Sequence, residues 1–424
     1  MINLTAMATA AKNATRQMAH ASTKSKNIAL KDIARSLERS QKDILSANEQ
    51  DINEGQNNGL SSALIDRLTL TPERLGSMAA DVINIASLPD PIGERFDSQV
   101  LENGLRIERQ RVPIGVLGVI YESRPNVTID VTALAIKTGN VVLLRGGSET
   151  IHSNRVLVNL VQQALRVADL PESSVQFIDN RDRKYVAELL KLHEYVEMII
   201  PRGSNALHTF CRENSTIPVI TGGIGICHLY VDKSADINLA IPVIENAKVQ
   251  RPSVCNALDT LLLHDSIAAD IMPRIVKQLS ESGVTFRVDS QALSILEKTG
   301  TGSDSEKVQL AGPDDFDIEW LSLVLGIKIV KNLDEAIEHI HKHSTDHSDG
   351  ILTETDKHAE RFVAEIDSAA VYVNSSTRFT DGGQLGLGAE VAVSTQRLHA
   401  RGPMGLPELS TYKWVIRGSY TSRS

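Results

Sequence analysis

The feature that most constrains this chain is an alternation of short β-rich runs with helical segments, which begins near Val112. The clearest unit has an apolar strand over residues 116–121, a turn at 123–125, a helix from about Val127 to Thr138 and a second strand at 141–144. Gly139 suits the position after the helix, where glycine adopts the left-handed conformation without steric cost. Strands joined by a helical crossover pair in parallel, so the alternation predicts an α/β fold with parallel sheets.

The same rhythm continues along the chain and predicts a doubly wound nucleotide-binding domain. A glycine-rich link, Gly222-Gly223-Ile224-Gly225, separates it from a second α/β series, because glycine backbone freedom suits a domain crossing. Before the link, helices are predicted near residues 153–168, 185–192 and 205–212, and strands near 175–178, 196–200 and 218–220. After it, strands are predicted near residues 228–231 and 258–263, and helices near 237–248 and 267–279.

The two ends of the chain follow other patterns. Residues 4–55 carry apolar side chains at intervals of three and four, which predicts one or two helices packed on the surface. Residues 411–418 form one more predicted strand, and a terminal strand of this kind often pairs with another subunit. We therefore expect a homo-oligomer.

Length and charge narrow the class of protein. A chain of 424 residues exceeds one compact core and predicts two or three domains. The net charge of -9 argues against a nucleic-acid surface, which needs clustered cations. The first 20 residues do not resemble a secretory signal, and no apolar run approaches the roughly 20 residues that cross a bilayer. Three cysteines without paired spacing fit a soluble protein of the reducing cytoplasm.

Cys255 is the strongest candidate for chemistry. It lies between Pro252, which breaks the chain after a predicted helix, and a buried strand that begins at Leu258. Lys248 and Arg251 are candidate cations for lowering the pKa of this thiol. Cys211 and Cys227 fit the apolar patterns of a helix and a strand and look structural. The residues alone leave Cys255 open between a reactive and a structural thiol.

A cluster of histidines raises the question of a metal site. His339, His341, His343 and His347 are close in sequence, and residues four apart share a helix face. Residues 334–342 instead fit an amphipathic solvated helix, and no cysteine accompanies the cluster. We expect no metal.

Seven segments together resemble the aldehyde dehydrogenase superfamily, and within it the reductases of glutamyl 5-phosphate. The resemblance runs nearly from end to end, and the order and spacing of the segments make it specific. The segments are YESRPN at 121–126, GNVVLLRGGSE at 139–149, PRGS at 201–204, TGG at 221–223, QRPSVCN at 250–256, NSSTRFTDGG at 374–383 and GLGAE at 386–390.

The resemblance implies a catalytic pair. Cys255 would be the nucleophile, and Asn126 would stabilise the oxyanion together with the Cys255 backbone N–H. Read without the resemblance, Asn126 also fits a helix N-cap.

The resemblance also implies a binding site for NADPH/NADP. Arg145 stands where related dehydrogenases carry a ribose-binding lysine, and its planar fork suits a 2′-phosphate, so NADPH is expected over NADH. The alternative for Arg145 is a solvated arginine at a strand end. Ser148, Gly203 and Ser204 are expected near the cofactor, the last two with their amides toward the pyrophosphate. Glu319 would hold the nicotinamide ribose, or be a surface acid.

Substrate contacts are expected from Arg124, Asn374, Ser375 and Arg378, although Arg124 could pair with a surface acid instead. Oxidising aldehyde dehydrogenases carry a water-activating glutamate just before the paired glycines, where this chain has Ile220-Thr221. Its absence favours phosphate over water as the partner of a thioester.

The implied reaction is therefore NADPH-dependent reduction of L-glutamyl 5-phosphate to L-glutamate 5-semialdehyde and phosphate, a step of proline biosynthesis. The alternatives are a coenzyme A-acylating aldehyde dehydrogenase and a nucleotide-binding scaffold without activity. Association with glutamate 5-kinase is a further expectation, because that kinase makes the labile acyl phosphate.

The resemblance implies two doubly wound domains with parallel sheets and a β oligomerisation flap. The cofactor-binding domain is expected from residues 1–104, 119–225 and 374–395, and the catalytic domain from 226–373. Residues 105–118 and 396–424 are expected to form the oligomerisation strands.

Overall fold

The structure is a computed structural model that describes residues 2–222, 224–300 and 307–423. The described residues divide into two compact units. Unit 1 comprises the described parts of residues 1–221, 386–392 and 403–424, and unit 2 those of residues 222–385 and 393–402. The chain passes from one to the other at the glycine-rich link, of which Gly223 lies outside the described residues.

The first helices of unit 1 correct the prediction of one or two helices over residues 4–55. The structure has three there, because Ser22 caps a new helix and the next one begins directly after Ser40. The apolar periodicity continues across these short breaks, so the spacing alone does not reveal them. The helices are α1 Leu4–Ala19, α2 Thr23–Arg39, α3 Gln41–Asn57, α4 Ser62–Leu68 and α5 Pro72–Ser87.

An antiparallel sheet joins distant parts of unit 1. Strands β1 (Arg95–Val100), β2 (Arg106–Pro113) and β16 (Ser410–Arg417) pair in the order β1-β2-β16, and we call this sheet the flap. The terminal strand predicted at 411–418 is confirmed, one residue earlier in the chain. Its exposed edge carries large apolar side chains, among them Trp414 and Ile416.

The parallel sheet predicted for unit 1 is present, with its strands in the order β5-β4-β3-β6. Strands β3 and β4 are buried along their whole length, as expected when helices cover both faces. The strand predicted at 218–220 reduces to one bridge between Val219 and Ile199. The elements are β3 Val116–Tyr121, α6 Asn126–Lys137, β4 Val141–Arg145, α7 Ile151–Val167, β5 Val175–Phe177, α8 Lys184–Leu189, β6 Met198–Arg202 and α9 Asn205–Asn214.

Unit 2 is built on a parallel sheet in the order β10-β9-β11-β8-β7-β12-β13. Its central strand β8 is fully buried and directly follows the loop with Cys255. Residues 374–385 also pack within this unit. The elements are β7 Cys227–Val231, α10 Ile237–Val249, β8 Leu258–His264, α11 Asp265–Glu281, β9 Thr285–Val288, α12 Ser290–Lys298, β10 Val308–Leu310, β11 Val324–Val330, α13 Leu333–His343, β12 Ser348–Leu352, α14 Asp356–Glu365, β13 Ala370–Val373, β14 Val393–Ser394 and β15 Gly402–Pro403. In the described part of the chain, every helix is too short or too polar to cross a membrane.

Candidate active site

Cys255 differs from the other two cysteines in its surroundings. All three are free thiols, but Cys211 and Cys227 are buried while Cys255 is only half-buried. Burial raises the pKa of the Cys211 thiol to about 12 and raises the pKa of Cys227 well above its usual range. A thiol must ionise to act as a nucleophile, so only Cys255 has the access that this chemistry needs.

The backbone of Cys255 packs directly against Gly225. A Cβ atom on Gly225 would lie 1.6 Å from the Cys255 carbonyl oxygen, which is far inside van der Waals contact. The same oxygen accepts a hydrogen bond from Cys227 Sγ at 3.2 Å. Position 225 must therefore be glycine for the Cys255 loop to reach its place.

Gly225 also connects Cys255 to Glu319. The Gly225 N–H donates to Glu319 Oε1 at 2.9 Å, and Glu319 is half-buried. Burial raises the pKa of the Glu319 carboxyl, and the Gly225 hydrogen bond opposes that rise. Gly225 thus packs against the Cys255 backbone and also donates to the Glu319 carboxylate, whereas a contact of Glu319 with the nicotinamide ribose stays a prediction.

A buried ion pair stabilises the cysteine loop and the segment that carries Glu319. Lys248 Nζ donates to the Leu258 carbonyl oxygen at 2.8 Å and lies 3.6 Å from Asp259 Oδ1, with both side chains almost wholly buried. Asp259 also accepts from the Trp320 N–H at 3.1 Å. Lys248 was a candidate cation for Cys255, but its ammonium is committed to this pair. The Lys248–Asp259 pair therefore fixes the two ends of the cysteine loop, and the Trp320 bond to Asp259 holds the segment with Glu319 beside them.

Arg378 is held beside the cysteine loop by neutral amide oxygens. Its Nε donates to Gln250 Oε1 at 3.0 Å, and its Nη1 donates to Asn256 Oδ1. The Asn256 carbonyl oxygen in turn accepts from Thr377 Oγ1 at 2.7 Å. Sequence reasoning missed the positioning roles of Gln250 and Asn256, although both lie within the QRPSVCN segment.

The other residues predicted for substrate contacts are less closely tied to Cys255. Asn374 pairs with the backbone of Thr353 through both ends of its amide, at 2.8 Å each, and so links the chain after β12 to the chain after β13. Ser375 follows it and is half-buried, and Arg124 is exposed on a turn of unit 1. Their contacts with substrate stay predictions.

In unit 1, Asn126 is the first residue of α6. Pro125 occupies the cap position and no side chain caps the helix, so the N-cap alternative for Asn126 is wrong. The Asn126 amide instead donates to Asp130 Oδ2 at 2.8 Å, one helical turn ahead. Burial raises the pKa of Asp130 to about 6, while the Asn126 hydrogen bond lowers it. Asp130 was missed by sequence reasoning, although the i, i+4 spacing was visible.

Arg145 ends β4 and is only 5% exposed, so the alternative of a solvated arginine is wrong. The guanidinium donates to the carbonyl oxygens of Gly146 and Arg181. Its Nε is buried without a hydrogen-bond partner among the described residues. Burial lowers the pKa of Arg145, whereas the charge of Glu149 raises it. Its hydrogen-bond acceptors are thus neutral carbonyl oxygens, and a contact with the cofactor stays a prediction.

The remaining predicted cofactor residues lie at helix starts in unit 1. Ser148 is exposed on the turn that leads into α7. Ser204 caps α9 by accepting from Leu207 N at 3.4 Å, but its own N–H donates to Glu122 Oε2 at 2.7 Å. A Cβ on Gly203 would meet the same carboxylate at 2.4 Å. The Glu122 carboxylate, which sequence reasoning missed, thus accepts from the Ser204 N–H that was predicted to face the pyrophosphate.

Among the histidines of α13, His339 is buried in unit 2, His343 is half-buried and His341 is exposed. The buried His339 ring packs edge-on against His228 at 5.5 Å between centroids and lies 4.3 Å from His343. His228 pairs with Asp349 at 2.9 Å, and His343 with Asp317 at 2.6 Å. Within residues 2–222, 224–300 and 307–423, no three His, Cys, Asp or Glu side chains are grouped to hold a metal ion.

Comparison with known proteins places this geometry in a family. The sequence model of the aldehyde dehydrogenase family matches residues 3–293. The γ-glutamyl phosphate reductase of Photobacterium profundum is 56% identical over 100% of both chains, and that of an Escherichia coli strain is 55% identical over 99% of both. The crystal structure of γ-glutamyl phosphate reductase from Thermotoga maritima is 49% identical, covers 100% of both chains and superposes with a TM-score of 0.96.

The two parallel sheets and the cysteine between α10 and β8 are thus those of an oxidoreductase with the aldehyde dehydrogenase fold. The chain belongs to the aldehyde dehydrogenase family and, within it, to the γ-glutamyl phosphate reductases. The fold class and the family resemblance predicted from the sequence are confirmed.

Proposed function

We propose that this chain reduces L-glutamyl 5-phosphate to L-glutamate 5-semialdehyde and phosphate with NADPH, in the synthesis of proline. The observation that carries the proposal is Cys255, the half-buried thiol of the three, whose backbone packs on Gly225 and whose neighbour Asn256 accepts from Arg378. The relatives named γ-glutamyl phosphate reductase support the choice of substrate.

In this proposal the Cys255 thiolate attacks the acyl carbon and the bond to phosphate breaks, which leaves a thioester on the sulfur. The Asn126 amide donates to the oxyanion that develops during the attack, since one N–H remains after the bond to Asp130. Phosphate departs with the electron pair of the broken bond. Bound NADPH supplies the hydride that reduces the thioester, and the aldehyde then leaves Cys255.

Water must stay away from the thioester until hydride arrives. Hydrolysis needs a general base near the acyl group, and this chain has Ile220-Thr221 in place of the glutamate that would provide it. Burial of the Glu319 carboxyl and its bond to Gly225 leave that acid suited to holding a ribose hydroxyl. Arg378, Arg124, Asn374 and Ser375 are the proposed contacts for the charged ends of the substrate.

The test uses the reverse direction, because the acyl phosphate is labile. NADP⁺ reduction is followed by absorbance with glutamate semialdehyde and either phosphate or coenzyme A. We expect turnover with phosphate and its loss in Cys255→Ala, with NADPH binding retained by fluorescence titration. Turnover with coenzyme A alone would establish the acylating alternative, and no turnover with either acceptor would establish an inactive scaffold.

The preference for NADPH is proposed from Arg145, whose hydrogen-bond acceptors are neutral carbonyl oxygens and whose guanidinium can donate to a 2′-phosphate. Ser148, Gly203 and Ser204 are the further proposed cofactor contacts. Because a hydrogen bond to a charged group is worth about 1.5–3 kcal/mol, Arg145→Leu should lower kcat/KM for NADPH by about 10- to 100-fold. The value for NADH serves as the control and should change little. An equal loss with both cofactors would refute recognition of the 2′-phosphate.

We also propose that the enzyme is a cytoplasmic homo-oligomer that pairs through the flap. The support is the exposed apolar edge of β16, where Tyr412, Trp414 and Ile416 are 45%, 49% and 62% exposed. Sedimentation of Trp414→Lys beside the unmodified chain tests this, with a smaller species expected for the variant. Association with glutamate 5-kinase is a further proposal, tested by co-sedimentation of the two proteins.

A further inference from the structure

We propose that Arg378 holds Cys255 in its thiolate form, and that Gln250 and Asn256 position the guanidinium for this task. The sequence assigned Arg378 to an anionic end of the substrate. The inference rests on the proposed role of Cys255 as nucleophile and adds a catalytic duty to an arginine that acts before substrate arrives.

Arg378 is anchored on the loop that carries Cys255. Its side chain donates to Gln250 and Asn256, which stand on either side of Cys255 in one loop. Asn256 is the very next residue after Cys255, and its amide also donates to the Thr380 carbonyl oxygen at 2.9 Å. The segment with Arg378 and the loop with the thiol are therefore held together at short range.

The groups that anchor Arg378 are neutral. Both acceptors are amide oxygens, and in the described part of the chain no carboxylate comes within 4 Å of the Arg378 guanidinium. Asp381, a carboxylate whose charge does act on Arg378, accepts from the N–H groups of Gly383 and Gln384. The Arg378 guanidinium is thus held in position by hydrogen bonds that do not neutralise its charge, so it can interact with an anion such as a thiolate.

Arg378 and Cys255 also interact electrostatically. Burial lowers the pKa of the half-buried Arg378 guanidinium and the charge of Arg251 lowers it further, whereas Cys255 acts in the opposite direction. The cation and the thiolate therefore attract each other where burial reduces screening by salt. Lys248 is committed to Asp259, and Arg251 is exposed, so neither is placed as well.

The role is purely electrostatic, and its proton balance follows from that. Arg378 keeps its proton throughout, because a guanidinium does not act as a base near neutral pH. The thiol proton passes to solvent or buffer before the acyl carbon is attacked. Removing the cation should make that ionisation less favourable, without changing which bonds form and break.

The test measures thiol ionisation in the full chain without substrate. Iodoacetamide alkylation of Cys255 is followed by peptide mass spectrometry from about pH 5 to 10, with the buried Cys211 and Cys227 as internal references. In Arg378→Gln the midpoint of the pH–rate profile should rise by about one unit or more, the usual size for loss of a nearby cation. Arg251→Gln removes the same charge from an exposed neighbour and should move the midpoint by less than about a third of that.

A second variant protects against misfolding of the first. Gln250 is exposed, and Gln250→Glu sets a carboxylate against the guanidinium, so the midpoint should rise in the same direction. Arg378→Lys should restore part of the unmodified profile. Unchanged midpoints in folded Arg378→Gln and Gln250→Glu would overturn this inference and leave the nucleophile assignment standing. A Cys255 that is unreactive in the unmodified chain at every pH would overturn both.

Discussion

The cysteine loop of unit 2 and the start of α6 in unit 1 carry the two groups proposed to act on one carbonyl, and they are held by different means. The backbone of Cys255 rests on Gly225 without room for a Cβ atom, and the buried pair of Lys248 and Asp259 fixes the loop ends. Asn126 is aimed by one hydrogen bond to Asp130. Main-chain packing tolerates almost no change, whereas a side-chain hydrogen bond can be weakened by degrees.

The largest effect should follow from Gly225→Ala. The new methyl group would overlap the Cys255 carbonyl oxygen, so the loop must shift and carry the sulfur with it. We expect turnover to fall by more than about 10³-fold, since misplacing a reacting group by about 1 Å already costs about 10²-fold. Steady-state kinetics and the alkylation rate of Cys255 would measure the loss.

Gly76→Ala is the matched control for that substitution. Gly76 lies inside α5, and a Cβ there meets nothing within 4 Å. Alanine in a helix interior is more favourable than glycine by about 0.5–1 kcal/mol, so this variant should be slightly more stable and fully active. Normal turnover in Gly225→Ala would show that the cysteine loop is not fixed by its backbone.

A smaller but still large loss is expected for Asn126→Ala. The variant removes one donor to the oxyanion, which costs about 10²–10³ in turnover for preorganised donors of this kind. NADPH affinity should stay near its original value, and the melting temperature should fall only slightly, because Asn126 does not cap α6 but its amide does donate to the Asp130 carboxylate. Turnover within tenfold of the unmodified enzyme would mean that other groups stabilise the oxyanion.

The contrast between these regions also explains what could be predicted from the sequence. The β3–α6–β4 unit was predictable because its strands are continuous apolar runs and Gly139 does adopt a positive φ of 68°. The junction with Cys255 was predictable for the same reason, since β8 is an apolar run as well. Both signals are local in the chain.

The supports of the site were not predictable, because they join residues that are distant in sequence. The only sign in the sequence of the contact between Gly225 and Cys255 is the glycine itself, and that glycine was interpreted as part of a flexible link. Lys248 was interpreted as a cation near the thiol, because sequence spacing does not reveal its buried ion pair with Asp259. The tether of Arg378 to Asn256 spans 122 positions and has no periodic signature.

Asp130→Asn should give the smallest and most graded effect. A neutral amide can still accept from Asn126, but a carboxylate is the stronger acceptor. We therefore expect turnover to fall by about tenfold or less at pH 7. Asp81→Asn, which removes a nearby carboxylate on α5 that also raises the pKa of Asp130, is the control and should change turnover by less than about twofold.

Asp130→Asn should also raise the stability of the fold while it lowers activity. The pKa of Asp130 is about 6 in the folded chain against 3.8 for the free group, and Asp81 and Arg202 are the other charges that act on it. The folded state thus binds more protons than the unfolded state between about pH 4 and 6, so the carboxyl destabilises the fold increasingly as pH rises through that window. Two pKa units correspond to at most about 3 kcal/mol.

In urea melts, the gain in unfolding free energy of Asp130→Asn over the unmodified chain should grow from pH 4 to 6 and then stay constant. An advantage that does not vary with pH, or a loss of both stability and turnover, would show that Asp130 serves packing and does not aim Asn126.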